Sequence, residues 1–506
     1  YEHMAALPAL ANLGANRELC FGFMPTVQNR KSRHRNKNPT TVSPMSFYAA
    51  VARPVTKKEI KMMPAAEAAL LKEWTKLRNA TAWDESAVRE WRDVAEEARR
   101  KGKKAHVGRI FEICVEKGSE LPAGDPNRLF KGRVVFQGND VHDENYDQAI
   151  FQDVGSSPAA MAASKACDLY GLLPGNDEEI ADAEQAYVQA LLRGDPTWVR
   201  LPRERWPAAW KNMHDPVCPL RVALYGHPDA GGYWEQHLEG HLATAGYAKI
   251  KGAAWRSVFY HDKLELMLVV YVDDFKLAGP KHNIPAGWAA IRKNVQMGEP
   301  TPLGKFLGCD HKVTTRRIPA GGNPSQDYSE NDLKGQIVKE VKCIEYDMES
   351  FMSSCVDRYC ELAKINRTAL RHVETPFIDE PKADKEWRAR IIENCDRVAE
   401  GKPPLPMPAS KPELVNPHGQ LHEYAARVLM KILYGARLAR KDLLRAIGAL
   451  ATFITKWDKE CDKKLLQLVS YINSSLDYRE IGWVGNSAKE LLYKLFADAD
   501  FAGDSK

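Results

Sequence analysis

The sequence lacks most of the features that settle a protein class at once. Its 10 cysteines are scattered singly, with no CxxC pair, and Cys355 and Cys360 are the closest two. Neither a disulfide framework nor a zinc-finger array is indicated, and reduced thiols of a cytosolic or nuclear compartment are expected. The longest apolar run, LMLVVYV at 266–272, has seven residues. A membrane-spanning helix needs about 20. No secretory leader pattern is present either, so neither secretion nor a membrane partner is expected. Charge of one sign is also missing: 72 Lys+Arg stand against 67 Asp+Glu, a net +5. Residues 1–60 hold nine Lys/Arg and three Glu, which leaves −1 for the other 446 residues. Affinity for a polyanion must therefore come from local patches.

The chain does have the means to build a large core. It has 506 residues, 44% hydrophobic and 27% charged, which are globular values. At roughly 100–200 residues per domain this is about three domains or one multi-lobed enzyme. The chain opens on Tyr1 and stops in mid-pattern at Lys506, which reads as a fragment of a longer open reading frame.

Residues 1–63 read as a basic tail without a fold, centred on NRKSRHRNK at 29–37. Such a run suits a nucleic-acid arm, an import signal or a solvated linker. From Pro64 strong helix formers follow. A second helix is predicted from an N-cap at Ser86 to about Arg100, with Gly102 as its stop. Short strands are predicted at 109–115 and 133–136, and residues 150–310 mix helices and strands, the mark of an α+β core. Residues 311–343, rich in Gly, Asn, Ser and Lys, read as an inserted loop. A helix follows, with Met348, Phe351, Met352, Cys355, Tyr359 and Leu362 at three- and four-residue spacing. Residues 401–416 form a Pro-rich linker. The stretch 417–490 looks helical, with Leu465, Leu468, Val469 and Ile472 on one stripe.

The chemistry concentrates at 268–279, LVVYVDDFKLAG. A run of β-branched and aromatic residues predicts a buried strand. Two carboxylates, Asp273 and Asp274, follow at once, and then a second short apolar run ends in Gly279. This is the pattern of a hairpin with Asp-Asp at its turn. Two ionised carboxylates in a buried hairpin repel unless a cation or solvent compensates. Mg²⁺ is a natural compensator, since it takes oxygen ligands and leaves room for substrate phosphates. An Asp-rich surface turn is the other reading. The best candidate for a third carboxylate is Asp182, at the end of a short predicted strand at 179–182 and before a predicted helix at 183–192; on composition alone, a strand-end cap is the stronger reading of it. Three such carboxylates suit two metals about 3.5–4 Å apart, as used for in-line phosphoryl transfer.

Several blocks in sequence order resemble the reverse transcriptase of copia-type LTR retrotransposons. KGRVVFQG at 131–138 is similar to that family's KARLVAKG. DAEQAY at 182–187 is similar to DVKTAF, which carries the first catalytic Asp. VCPLRVALYG at 217–226, followed by Trp234, resembles the family block ending in LYGLKQAPRAW. Tyr271-Val272-Asp273-Asp274 is the family's YVDD, and LGKFLG at 303–308 resembles its second Gly-containing block. VETP at 373–376 and DADFAGD at 498–504 resemble a short Thr-Pro marker and the start of the RNase H domain. The likeness spans roughly residues 64–506.

The resemblance implies a right-hand polymerase fold with fingers and palm at 64–310. It further implies thumb-like helices at 344–400, a helical connection at 417–490 and a truncated RNase H start at 491–506. Asp182, Asp273 and Asp274 would be catalytic and would bind Mg²⁺, with Mn²⁺ as an alternative. Lys131, Arg133, Tyr187 and Tyr271 would contact the nucleotide. Arg200, Arg203, Arg205 and Gly308 would contact nucleic acid, the three arginines interleaved with Trp198 and Trp206. The implied partners are an RNA template, a DNA primer and dNTPs. Asp498 would be an RNase H remnant, and hydrolysis by that domain is not expected from this chain. The chain departs from the family at Gln137, at Lys441, and at Asp229 and Gly232, where a Gln and an Arg are expected near the nascent base pair. Two alternatives stay open: an inactive relic that only binds nucleic acid, and a metal-dependent nuclease or phosphatase using the same carboxylates.

Overall fold

The computed structural model describes residues 52–118, 125–126, 128–151, 158–252, 255–378, 382–407 and 418–491. Most of the basic tail, part of the Pro-rich linker and Asp498 lie outside the described residues. The folded chain starts earlier than the composition suggests. Strand β1 (Ala52–Pro54) pairs with a later strand, and Thr56 caps a short helix at Lys57–Met62.

The first sheet contains β1, β2 (Arg89–Glu90), β3 (His106–Lys117), β4 (Leu129–Phe136), β6 (Thr197–Arg200) and β7 (Pro216–Pro219). Its order is β1-β3-β6-β7-β2, with β4 also on β3. β3 and β4 pair antiparallel from Ile110↔Phe136 to Lys117↔Leu129. Helix α1 (Pro64–Asn79) lies over β4, and its Trp74 and Leu77 meet Ile110, Val134 and Phe136 in one core. Helix α2 (Trp91–Lys101) starts later than the Ser86 cap predicts. Arg89 and Glu90 are drawn into pairing with Val217 and Pro216, and Glu90 accepts hydrogen bonds from the Asp215 and His214 amides. Gly102 ends the helix, as its sequence position suggests.

The second sheet has the order β12-β5-β11-β10-β9-β8. It is built from β5 (Asn176–Asp182), β8 (Ala248–Lys249), β9 (Val258–His261), β10 (Leu266–Tyr271), β11 (Asp274–Pro280) and β12 (Thr301–Pro302). The apolar run at 266–272 has a plain cause: both faces of β10 are covered, so alternation is lost. Leu266, Leu268 and Val270 pack under helices α4 (Ala230–Thr244) and α5 (Ile284–Arg292). Met267 and Val269 face Ala163 and Cys167 of α3 (Met161–Gly171). The helix expected at 183–192 is a single 3₁₀ turn, Ala186–Gln189. Gln185 before it is left-handed at φ +50°, and Leu191 bridges to Val222, so the chain turns back instead of winding on.

The third sheet corrects the inserted loop. β13 (Lys305–Phe306), β14 (Cys309–Pro319), β15 (Val338–Asp347) and β16 (Glu480–Val484) pair in that order. β14 and β15 run antiparallel from Asp310↔Asp347 to Pro319↔Val338, so both ends of the segment are strand and residues 320–337, with a helical turn at Glu330–Leu333, connect them. Behind this sheet, α6 (Glu349–Ala363), α7 (Ala425–Leu438), α8 (Leu444–Ala451) and α9 (Lys459–Ser474) share one core. It joins Met352 and Val356 to Leu429, Ile432, Leu465 and Ile472. The first part of the segment expected as thumb, up to Val373, thus shares a core with the segment expected as connection, while the helix at Lys382–Ala399 contributes no residue to that core. No helix among the described residues is long and apolar enough to cross a membrane.

Candidate active site

The hairpin β10–β11 turns through Val272 and Asp273, with Tyr271 paired to Asp274. Val272 is left-handed at φ +62°. For a β-branched residue this conformation costs about 1–2 kcal/mol and persists only where neighbours enforce it. Two hydrogen bonds do so. The Trp234 indole donates to the Val272 carbonyl at 2.7 Å, and the Ala183 amide donates to the Asp273 carbonyl at 2.7 Å. The second bond joins the turn to the end of β5. β11 also pairs with β5, and the register sets Asp274 directly opposite Asp182. Side chains so placed are neighbours about 4.5–5.5 Å apart at Cβ, and like charges there repel.

The electrostatics follow from that register. Burial and the charges of Asp273 and Asp182 push the Asp274 carboxyl up to about 6. Partial burial and Asp273 also raise Asp182, opposed by Lys131, Lys117 and Arg133. The structure therefore brings the three predicted carboxylates within electrostatic reach of one another. Among the described residues, however, no three His, Cys, Asp or Glu side chains already converge on a point that could hold a metal. Donor type and charge still fit a hard divalent ion: carboxylate oxygens, mutual repulsion, and only negative charges acting on Asp274.

The basic side of the site comes from the β3–β4 ribbon. Lys131 and Arg133 are two apart on β4 and so share a face. Burial and Arg133 lower the Lys131 ammonium, while Asp182 and Asp273 raise it. Arg133 stacks over Tyr225 at 4.9 Å, and Tyr225 meets Tyr187 edge to face at 4.8 Å. Tyr187 is half-buried, and burial and Asp273 push its hydroxyl up. Lys117, at the far end of β3, acts on Asp182 as well. Sequence reading missed it, because only the β3–β4 register returns it to Lys131.

Two glycines fasten this ribbon to the segment at Tyr225–Gly226. The Phe136 amide donates to the Tyr225 carbonyl at 2.7 Å. A Cβ on Gly226 would stand 2.1 Å from the Phe136 carbonyl oxygen, and one on Gly138 would stand 2.2 Å from that of Gly226. Neither position has room for any side chain.

Gly308 lies in a second tight turn. β13 and β14 pair Phe306 with Cys309, and Leu307 and Gly308 between them have φ +49° and +76°. Two left-handed residues in a two-residue loop make the type I′ turn that favours Gly. The Tyr434 hydroxyl of α7 donates to the Leu307 carbonyl at 2.6 Å. Burial raises that hydroxyl, helped by Tyr271 and Asp274, so the turn and the hairpin meet around Tyr434.

The arginine cluster divides. Arg200 is held bidentately by Asp215 at 2.6 and 2.7 Å, and Arg205 by Glu112 and Glu67 at 2.6 and 2.9 Å. Both guanidiniums are committed inside the fold. Arg203 is exposed and stacks over Trp206 at 5.6 Å. Asp229 is buried at the start of α4, beside His227 and Tyr233, and Gly232 is buried within that helix.

No family model matches the chain. The chain is 23% identical over 300 residues to the retrovirus-related Pol polyprotein from transposon RE2 of Arabidopsis thaliana. The match covers 58% of this chain and 16% of that polyprotein. The chain therefore spans a small part of the relative's length. This distant likeness supports a retrotransposon pol origin.

Proposed function

We propose that the chain is an RNA-directed DNA polymerase that extends a primer 3′-hydroxyl with dNTPs. The supporting observation is the in-register opposition of Asp182 and Asp274, with Asp273 in the adjoining turn and Lys131 and Arg133 above them. Asp182, Asp273 and Asp274 would hold divalent ions; when bound, these activate the attacking hydroxyl and stabilise the leaving pyrophosphate. Lys131, Arg133 and Lys117 neutralise and orient the triphosphate. Tyr187, propped by Tyr225, sits where a sugar would rest, and Tyr271 flanks the carboxylates. The Leu307–Gly308 turn presents backbone to the primer strand, and Arg203 with Trp206 offers charge and a stacking face to the template.

A second reading is a nucleic-acid-binding relic without catalysis. It is favoured by Asp229 and Gly232, which cannot supply the Gln and Arg contacts that the resemblance implies. Primer extension on poly(rA)·oligo(dT) with dTTP and Mg²⁺ or Mn²⁺ separates the two, run beside Asp273→Asn/Asp274→Asn. Extension by the parent alone supports the polymerase. No extension by either, with hybrid binding retained, supports the relic.

A further inference from the structure

Lys276 follows Asp274 by two residues on β11, and its side chain is fully buried. Its ammonium donates to Asp168 of α3, which is also fully buried, and stands 3.9 Å from Glu178 of β5. The second oxygen of Asp168 accepts the Tyr346 hydroxyl of β15 at 2.8 Å. It also lies 3.9 Å from Nε2 of His311 on β14. The other ring nitrogen of His311 lies 3.1 Å from the Gly304 carbonyl and 3.0 Å from that of Cys309. These two carbonyls bracket the Leu307–Gly308 turn. The Lys276 ammonium also sits 4.4 Å over the ring of Phe306, the residue that opens the turn.

One buried carboxylate therefore links the strand of Asp274 to the turn of Gly308. The charges balance. Burial works against Lys276, but the ionised Asp168 it donates to outweighs that and holds the ammonium charged. Burial also raises Asp168, but Lys276 outweighs it and keeps it ionised, while burial and the Lys276 charge push the His311 imidazole down to about 4. Burial and Asp168 keep Glu178 neutral. A core with no other task could use apolar residues here at equal or better stability.

We propose that Asp168 is a positioning residue. Through Lys276 on one side, and Tyr346 and His311 on the other, it fixes the Leu307–Gly308 turn relative to the Asp182–Asp274 carboxylates. What the turn does for a primer rests on the polymerase reading; the mechanical link does not.

Single removal of either charge strands its partner, so the test removes both, as Lys276→Met/Asp168→Asn in the full chain. Tyr346→Phe is the milder companion and cuts only the β15 arm. Amide hydrogen exchange is read at residues 303–309 and 271–274, beside global melting. The expected result is a folded variant whose 303–309 amides exchange at least tenfold faster, though no residue there was changed. In extension assays KM for primer–template rises about tenfold with a smaller change in kcat. Unchanged exchange at 303–309 in either folded variant overturns the proposal, as does acceleration confined to 168, 276 and their immediate neighbours. A parent without extension would sink the polymerase reading, and the exchange result would still judge the link.

Discussion

Strand β11 carries two charges, Asp274 and Lys276, whose surroundings are opposite. Lys276 is sealed from water and matched by an ionised Asp168. Asp274 faces another carboxylate across the ladder, and the charges acting on it are both negative. The fold is thus able to neutralise a buried charge within two residues of Asp274, yet leaves Asp274 repelled. Cations stand nearby, but Lys131, Lys117 and Arg133 act on Asp182 from one side without closing the set. Paired charge here holds elements together, whereas the unpaired carboxylates are the ones the polymerase reading assigns to a ligand of opposite sign.

The sharpest way to break this comparison is to neutralise the open set. Asp182→Asn or Asp273→Asn should lower primer extension by at least about 10⁴-fold, more than 5 kcal/mol of barrier. A variant that still extends at the parent rate ends the polymerase reading. Next in size is Lys276→Met alone. It strands Asp168 and should cost about 3–5 kcal/mol in denaturant unfolding, with most of that recovered in Lys276→Met/Asp168→Asn. A neutral single variant would place Lys276 in the same class as Asp274.

Asp274→Asn should do the reverse to stability. The folded chain keeps a proton on Asp274 up to about pH 6, while an unfolded Asp loses it near about pH 4. The parent therefore loses stability as pH rises through that window and stays at the lower level above it. The Asn variant has no such loss, so it should be about 1–2 kcal/mol more stable than the parent at pH 7.5 and level with it below about pH 4. Millimolar Mg²⁺ should narrow the gap by stabilising the parent alone. The smallest effect concerns the arginines. Arg203→Ala should reduce the salt slope of hybrid binding by about one unit. Arg200→Ala and Arg205→Ala should instead lower the melting temperature and leave the slope unchanged.

The sequence reveals the hairpin because two covered faces write an uninterrupted apolar run, and two carboxylates interrupt it abruptly. It does not reveal that Asp182 stands opposite Asp274, since register between distant strands leaves no local trace. The resemblance supplied that residue where periodicity could not. The segment 311–343 reads as a loop because β14 alternates poorly: Lys312 to Thr315 are all exposed, and only its ends pack. The Lys276 link does leave a trace in the sequence. A lone Lys between Phe275 and Leu277 in a buried strand demands a carboxylate partner. Naming Asp168, however, needs the packing of α3 against β11. The arginines show the opposite error, because composition cannot tell a cation held at home from one offered outward.

The contact between Gly138 and Gly226 has a genetic consequence. Every single-base change in a glycine codon that alters the residue introduces a Cβ, and both sites would drive that atom to within about 2.2 Å of a carbonyl oxygen. No one-step substitution is conservative at either position. Among copies of such an element, these two codons therefore report on selection more cleanly than the aspartates do. An Asp changed in the hairpin would leave a folded chain, whereas a side chain at either glycine would force the Phe136–Gly138 segment off Tyr225–Gly226.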